Sequence, residues 1–203
     1  MKKTLGLIVP VVPAILLLCG CGSFALPSVY ILGNPTPAAV SVSSEDGLPI
    51  VAIDTVTVPD YLDSTDIVRH AGSNEVRVSA TGKWGERLSV GLTRALVSAL
   101  SRRLPHMVIE RRTDDEAPWR VLVDIQRFDI GADGQCILSA RWHIITTDGK
   151  TFSVGEDGNF VEPAAINTDA AVVTAMNLAT DQLAGRIATS LQRVIVGPTA
   201  SKN

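Results

Sequence analysis

The sequence predicts an α+β fold in two layers, with an antiparallel-rich sheet and two long amphipathic helices packed on one of its faces. Two observations support this prediction. Two long segments repeat apolar residues at helical spacing, and three neighbouring segments alternate apolar and polar residues as strands do. Two helices that each carry one apolar stripe need a common surface to bury it against. We place a single domain at residues 50–197 of the 203-residue chain.

The first strands are predicted from β-branched content. Residues 50–58 form a strand that stops at Pro59, which has no amide hydrogen to donate to a sheet. Residues 75–79 alternate as a second strand. Residues 21–49 are rich in Gly, Ser, Ala and Pro and read as a tether, with one short strand at 28–33 that suits a sheet edge.

Two helices are predicted from their apolar stripes. The first covers residues 84–103, ends near Pro105, and carries a leucine at every fourth position: Leu88, Leu92, Leu96, Leu100 and Leu104. The second covers residues 168–194, with one apolar side formed by Val172, Met176, Ala179, Leu183, Ile187, Leu191 and Val194.

Between the helices, a short strand at 107–110 and a three-stranded antiparallel meander at 119–161 are predicted. A change of alternation near Gln126 indicates a bulge in the first meander strand. Asp133-Gly134 and Asp148-Gly149 are typical hairpin turns, because glycine adopts positive φ without strain.

The N-terminal segment predicts export and lipid attachment. Lys2 and Lys3 precede an uncharged stretch at 5–18, which is the pattern of a secretory signal and is too short to span a bilayer. Leu18-Cys19-Gly20-Cys21 then resembles a bacterial lipobox, with a small residue before the cysteine that would carry the lipid. Two alternatives remain, namely a soluble signal cleaved near Ala25 and a Cys-x-Cys metal or redox pair.

Processing at Cys21 would remove a signal peptide at 1–20 and leave 183 residues with a formal charge of −5, since the only charged residues lost are two lysines. An acidic domain has no basic field to attract nucleic acid. Gly22 lacks the aspartate that retains lipoproteins at the inner membrane, which favours the outer membrane in a gram-negative cell. Residues 198–203 read as a disordered tail.

No constellation of catalytic or metal-binding residues is evident, so we expect neither an enzyme nor a cofactor. His70, His106 and His143 stand alone in sequence, and Cys136 shares an apolar strand face, where a thiol packs as a small apolar group. The remaining candidates have ordinary explanations: Gly149-Lys150-Thr151 lacks the first glycine of a phosphate loop, Asp114-Asp115-Glu116 lies in a polar loop, and Asp124 and Asp129 read as outward strand positions.

The loop after the first strand contains the candidate binding residues. Pro59, Asp60, Tyr61 and Leu62 place two large apolar side chains between charged residues, where a loop more often has small polar ones. They either plug into their own domain or dock a partner, because an aromatic and an aliphatic anchor are typical of an interface. Trp84 poses the same question, and there the core is favoured.

At this loop the chain resembles a known family. Tyr30-Ile-Leu-Gly33, then Val-x-Val-Pro-Asp-Tyr-Leu at 56–62, Trp84 with Leu88, the helix end Leu104-Pro105, and Ser139-Ala-Arg-Trp142 are similar in order and spacing to the PqiC/YmbA family of ABC-type transport auxiliary lipoproteins. One departure is Arg87, where the family tends to have proline, and it affects where the helix begins.

The resemblance implies a non-enzymatic lipoprotein subunit of an envelope lipid transport system, anchored in the outer membrane by the lipid on Cys21 and facing the periplasm. It implies a mammalian-cell-entry-type periplasmic protein as partner and, through it, an inner-membrane permease with or without an ABC ATPase. Capping such a conduit would suit a homo-oligomer. The alternative is a stand-alone outer-membrane lipoprotein that scaffolds or assembles envelope components.

Overall fold

One mixed sheet organises the domain. The computed structural model describes residues 26–33, 47–72, 74–112, 117–146, 155–165 and 167–197. Within them the sheet contains β1 (Ser28–Tyr30), β2 (Ile50–Ile53), β3 (Asp66–His70), β4 (Val76–Trp84), β5 (Val108–Arg111), β6 (Trp119–Ile130), β7 (Gln135–Thr146) and β8 (Glu156–Pro163). Two helices accompany it, α1 (Leu88–Arg103) and α2 (Asp169–Leu191), and a π-helical segment, Gln192–Val196, follows α2.

The sheet is not antiparallel-rich, and that expectation was wrong. Strands follow the order β1-β4-β3-β6-β2-β5, and β7 and β8 continue beside β6. Of the seven pairings between described strands, four are parallel: β1 with β4, β2 with β5, β2 with β6, and β3 with β6. Between β2 and β5 the chain passes through two strands and α1, and such a long return lets the second strand start at the same end as the first. The α+β class holds, while the two-layer arrangement stays a prediction.

The predicted meander is present in β6, β7 and β8, which pair antiparallel in sequence order. The β6–β7 register shifts between Ile125 and Arg127, so the extra residue is Gln126, as the alternation indicated. Gly134 in the β6–β7 turn has a φ of 76°, which glycine adopts without strain. The Asp148-Gly149 turn lies outside the described residues.

Helix α1 begins later than expected. The predicted start at Trp84 belongs instead to β4, and this tryptophan is buried in the core, as favoured above. The helix starts at Leu88 because Arg87 holds an extended N-cap conformation. The leucine stripe of α1 and the apolar side of α2 are buried, with Val194 of the π-helical segment half-buried beside them.

Helix α2 is tied to β3 and β4 through its first residue. Thr168 caps the helix by accepting a hydrogen bond from the Ala171 amide at 3.2 Å. Asp169 accepts from Arg69 Nη2 at 2.5 Å and from the hydroxyls of Ser79 and Thr81 at 2.8 and 2.6 Å. Burial would raise the pKa of Asp169, but these hydrogen bonds and the charge of Arg69 outweigh it and leave the pKa below its usual value.

The short strand expected at 28–33 lies at the sheet edge as β1. Leu32 is fully buried, and the Gly33 amide donates to Asn177 Oδ1 of α2 at 2.7 Å. Residues 21–25 and 34–46 of the expected tether fall outside the described residues, as do the signal peptide and the C-terminal tail. Among the described helices, none is both long and apolar enough to cross a membrane.

Candidate docking site on the open face of the sheet

The predicted binding loop splits into a buried and an exposed part. Backbone hydrogen bonds from Leu62 and Asp63 to the Pro59 carbonyl, at 2.9 and 3.2 Å, close a tight turn. Leu62 is 1% exposed and packs into its own domain, which is the first of the two alternatives, whereas Tyr61 is 47% exposed. Asp60 is exposed and Pro59 is half-buried. Of the two apolar anchors, only Tyr61 is available to a partner.

Asp63 fixes this loop to the start of α1. Its Oδ1 accepts from the Ser89 amide at 3.1 Å, and its Oδ2 accepts from Arg87 Nη2 at 2.7 Å. The side chain of the N-cap residue Arg87 accepts no hydrogen bond from the helix. Asp63, in the loop, instead accepts one from a backbone amide in the first turn of α1. Burial would raise the pKa of Asp63, but the hydrogen bonds from Ser89 and Arg87 outweigh it and lower that pKa. The loop that presents Tyr61 is therefore firmly held.

Tyr61 lines a cleft that sequence reasoning missed. The cleft has a volume of about 590 Å³ and is lined by Tyr61, His70, Gly72, Gln126, Arg127, Asp129, Gly131, Ala132, Asp133 and Ile137. Asp129 at its base is 0% exposed. Its Oδ1 accepts from Arg127 Nε at 3.0 Å, and its Oδ2 lies 3.0 Å from His70 Nε2, an ion-pair distance without hydrogen-bond alignment.

The bulge explains why Asp129 is here. Before Gln126 the inward positions of β6 are odd-numbered, and after it Phe128 and Ile130 point inward instead. Arg127 and Asp129 are thereby turned to the opposite face. Asp129 therefore faces away from the core, as expected, but it is not an ordinary solvated position, because it is 0% exposed and contacts Arg127 and His70. The shift of alternation was visible in the sequence, but the approach of His70 was not.

Several exposed apolar residues share this open face. The register pairs His70 with Val76 and Val68 with Val78, and antiparallel partners point to the same side. Val76 and Val78 are 42% and 60% exposed. Across the meander, Asp129 is in register with Ile137, and Ile137 with Val161, which is 47% exposed. The open face thus combines a charged cleft with scattered apolar anchors, a composition suited to a protein interface.

Two titratable groups in or near the cleft have raised pKa values. Burial and the negative charge of Asp129 raise the pKa of Tyr61, so its hydroxyl stays neutral. Burial, then Asp129 and Glu162, raise the pKa of Cys136 to about 12, and its thiol is a free, buried packing group, as expected.

Other candidates from the sequence do not assemble into a site. His106 is exposed, His143 is half-buried, and Asp124 is exposed as expected. Within the described residues no group of three His, Cys, Asp or Glu side chains could hold a metal ion. Asp114-Asp115-Glu116 and Gly149-Lys150-Thr151 lie outside the described residues, as does Cys21.

The family follows from comparison with known proteins. Residues 30–188 match the family model described as ABC-type transport auxiliary lipoprotein component. The chain belongs to this family. The match begins at the last residue of β1 and covers the Tyr61 loop, both sides of the cleft and nearly all of α2.

Individual relatives agree with this assignment. The chain is similar to the intermembrane transport lipoprotein PqiC of Escherichia coli strain K12, with 28% identity over 129 residues, or 64% of this chain and 69% of the relative. The protein of the same name from Shigella flexneri gives the same values. Among crystal structures, protein XCC0632 from Xanthomonas campestris has a TM-score of 0.61 at 15% identity, covering 80% of this chain and 90% of its own. An uncharacterised protein has a TM-score of 0.68 at 18% identity, covering 82% and 99%. These two structures support the fold.

Proposed function

We propose that this chain is a non-enzymatic subunit of an envelope lipid transport system, and that its open face around Tyr61 docks a mammalian-cell-entry-type periplasmic lipid carrier. The observation that supports this most is the half-exposed Tyr61, held by a fixed loop beside the buried Asp129, which pairs with the partly exposed Arg127 and His70. An aromatic anchor beside a desolvated ionic group is typical of an interface hot spot. Through the carrier, the chain would join an inner-membrane permease and its ABC components.

The transport role has a physical rationale. A phospholipid cannot cross the aqueous periplasm unshielded, because exposing its chains costs about 0.8 kcal/mol per CH₂. A carrier that shields the lipid needs a fixed point at the receiving membrane. The family and the PqiC relatives support transport as the general role of this chain.

The anchor in this proposal is the lipid on Cys21, in the outer membrane. The lipobox at 18–21 and Gly22 support it. Mass spectrometry of the mature protein should find a diacylglyceryl group on Cys21, and C21S should release the protein from the membrane fraction. An unmodified Cys21 in a correctly exported protein would contradict the anchor.

The docking face is tested by pulling the tagged lipoprotein from envelopes and quantifying the carrier. Tyr61→Ala should reduce carrier recovery at least about tenfold, the effect of losing a hot spot of roughly 2 kcal/mol. Leu178→Ala is the matched control, since Leu178 is 49% exposed on α2. Equal recovery with both variants would contradict docking at Tyr61, and recovery of no carrier even with the unaltered protein would contradict the transport role.

A further inference from the structure

The sheet edge begins close to the proposed lipid attachment. Leu26 is the first described residue and comes five positions after Cys21. Five residues of fully extended chain span about 17 Å at most. Since β1 is hydrogen-bonded into the sheet, the domain cannot move further than this from an anchored Cys21.

The register shows which end of the sheet is held. β1 runs parallel to β4, with Ser28 opposite Gly82, so the start of β1 points toward the turn between β3 and β4. Continued toward the N-terminus, this register brings Leu26 level with Ala80, on the part of β4 that leads to that turn. An anchored Cys21 therefore lies within about 17 Å of this part of β4.

This end of the sheet exposes apolar side chains. Leu26, Val76 and Val78, which we call the hairpin-end surface, are 91%, 42% and 60% exposed. The charges beside the valines are paired, since Arg77 Nε lies 2.8 Å from Glu75 Oε1. Three apolar side chains with locally balanced charge suit the bilayer interface, where apolar contact does not depend on anionic lipid.

We propose that the hairpin-end surface rests in the interface of the lipid bilayer that anchors Cys21. The proposal rests on the lipid attachment proposed above and adds an orientation. His70 pairs with Val76, so the Tyr61 cleft lies directly beside this membrane contact. A carrier docked at the cleft would then end at the lipid surface, where its cargo must leave.

The test uses the full-length lipidated protein in phosphatidylcholine vesicles that contain a brominated phosphatidylcholine. A bimane fluorophore is attached at Leu26→Cys, Val78→Cys or Glu110→Cys. Cys136 is 0% exposed and does not compete for the label. Glu110 is exposed on β5, at the opposite end of the strand order from β1, about five strand spacings or ~24 Å away.

Brominated lipid should quench the probes at positions 26 and 78, with a clear loss of emission, and leave the probe at 110 unchanged. Adding phosphatidylglycerol should not alter the quenching. Flotation of each sample tests the anchor separately: protein that fails to float with vesicles refutes lipid attachment. Protein that floats while position 78 is quenched no more than position 110 overturns the membrane contact and leaves the anchor intact.

Discussion

Asp169 is the residue at which α2, β3 and β4 meet. It is 4% exposed and accepts hydrogen bonds from Arg69, Ser79 and Thr81. The carboxylate also lies in the first turn of α2, where a negative charge interacts favourably with the positive end of the helix dipole. One side chain thus fixes the helix to the hairpin that carries Val76 and Val78.

Asp169→Ala should lower the free energy of unfolding by about 3 kcal/mol. It removes the carboxylate and leaves Arg69 without its ion-pair partner and two hydroxyls without their acceptor, at a mostly buried site. Urea denaturation measures this, with an unchanged slope if only stability is affected. Asp181→Ala is the control. Asp181 forms an ion pair of the same length, 2.5 Å, with Arg103, but its side chain is 50% exposed. An exposed ion pair contributes less than about 1 kcal/mol to stability. Equal losses would contradict the role of Asp169.

The lowered pKa values of Asp63 and Asp169 make stability depend on acid. A carboxyl whose pKa is lower in the folded state binds its proton more readily when the chain is unfolded. The ionised carboxylates therefore stabilise the folded state fully above the unfolded pKa of about 3.9. This stabilisation is lost as pH falls through the folded pKa.

We therefore expect the free energy of unfolding attributable to these two groups to be constant from pH 7 to pH 5 and to fall below about pH 4. Urea titrations of the unaltered protein and the double variant D63N/D169N measure the difference. The two curves should converge in acid. Curves that stay parallel through pH 3 would show that these carboxyls do not supply the acid sensitivity.

At the scale of elements, local patterns were informative and long-range pairing was not. The leucines at every fourth position predicted α1, and the altered alternation near Gln126 predicted the bulge, because both periodicities are properties of a single segment. The parallel pairing of β2 with β5 and β6 depends on where the chain returns, which no residue in β2 records. Burial of Asp129 depends on His70, a residue from another strand, and was missed for the same reason.

Two glycines in different elements should respond oppositely to alanine. Gly33, just after β1, has a φ of +78°, and an added Cβ would lie 2.8 Å from Ala95 Cβ, so Gly33→Ala should destabilise the domain by about 2 kcal/mol. Gly185 lies inside α2, and an added Cβ would lie 3.8 Å from Arg103 Nε, which is an ordinary contact distance. Because alanine favours the helix more than glycine does, Gly185→Ala should stabilise the domain by up to about 1 kcal/mol. Thermal or urea unfolding gives both signs, and a neutral Gly33→Ala would contradict the close approach of Gly33 to Ala95 of α1.

At the scale of the whole molecule, the two sides of the sheet differ in what they carry. The described helices bury the apolar side, where Trp142 Nε1 donates to Ser190 Oγ of α2 at 3.3 Å. The opposite side holds Tyr61, the buried Asp129 and the exposed valines of β4. In our proposal the covered side gives rigidity, and the open side holds a lipid carrier beside the membrane.

The most direct test of this docking is site-specific photocrosslinking in living cells. A photoreactive phenylalanine analogue replaces Tyr61 in one strain and Leu178 in another, and both proteins are exported and anchored normally. Illumination should crosslink position 61, and not position 178, to the mammalian-cell-entry-type carrier. Crosslinks from position 178 to the carrier with none from position 61 would contradict the docking of the carrier on the open face.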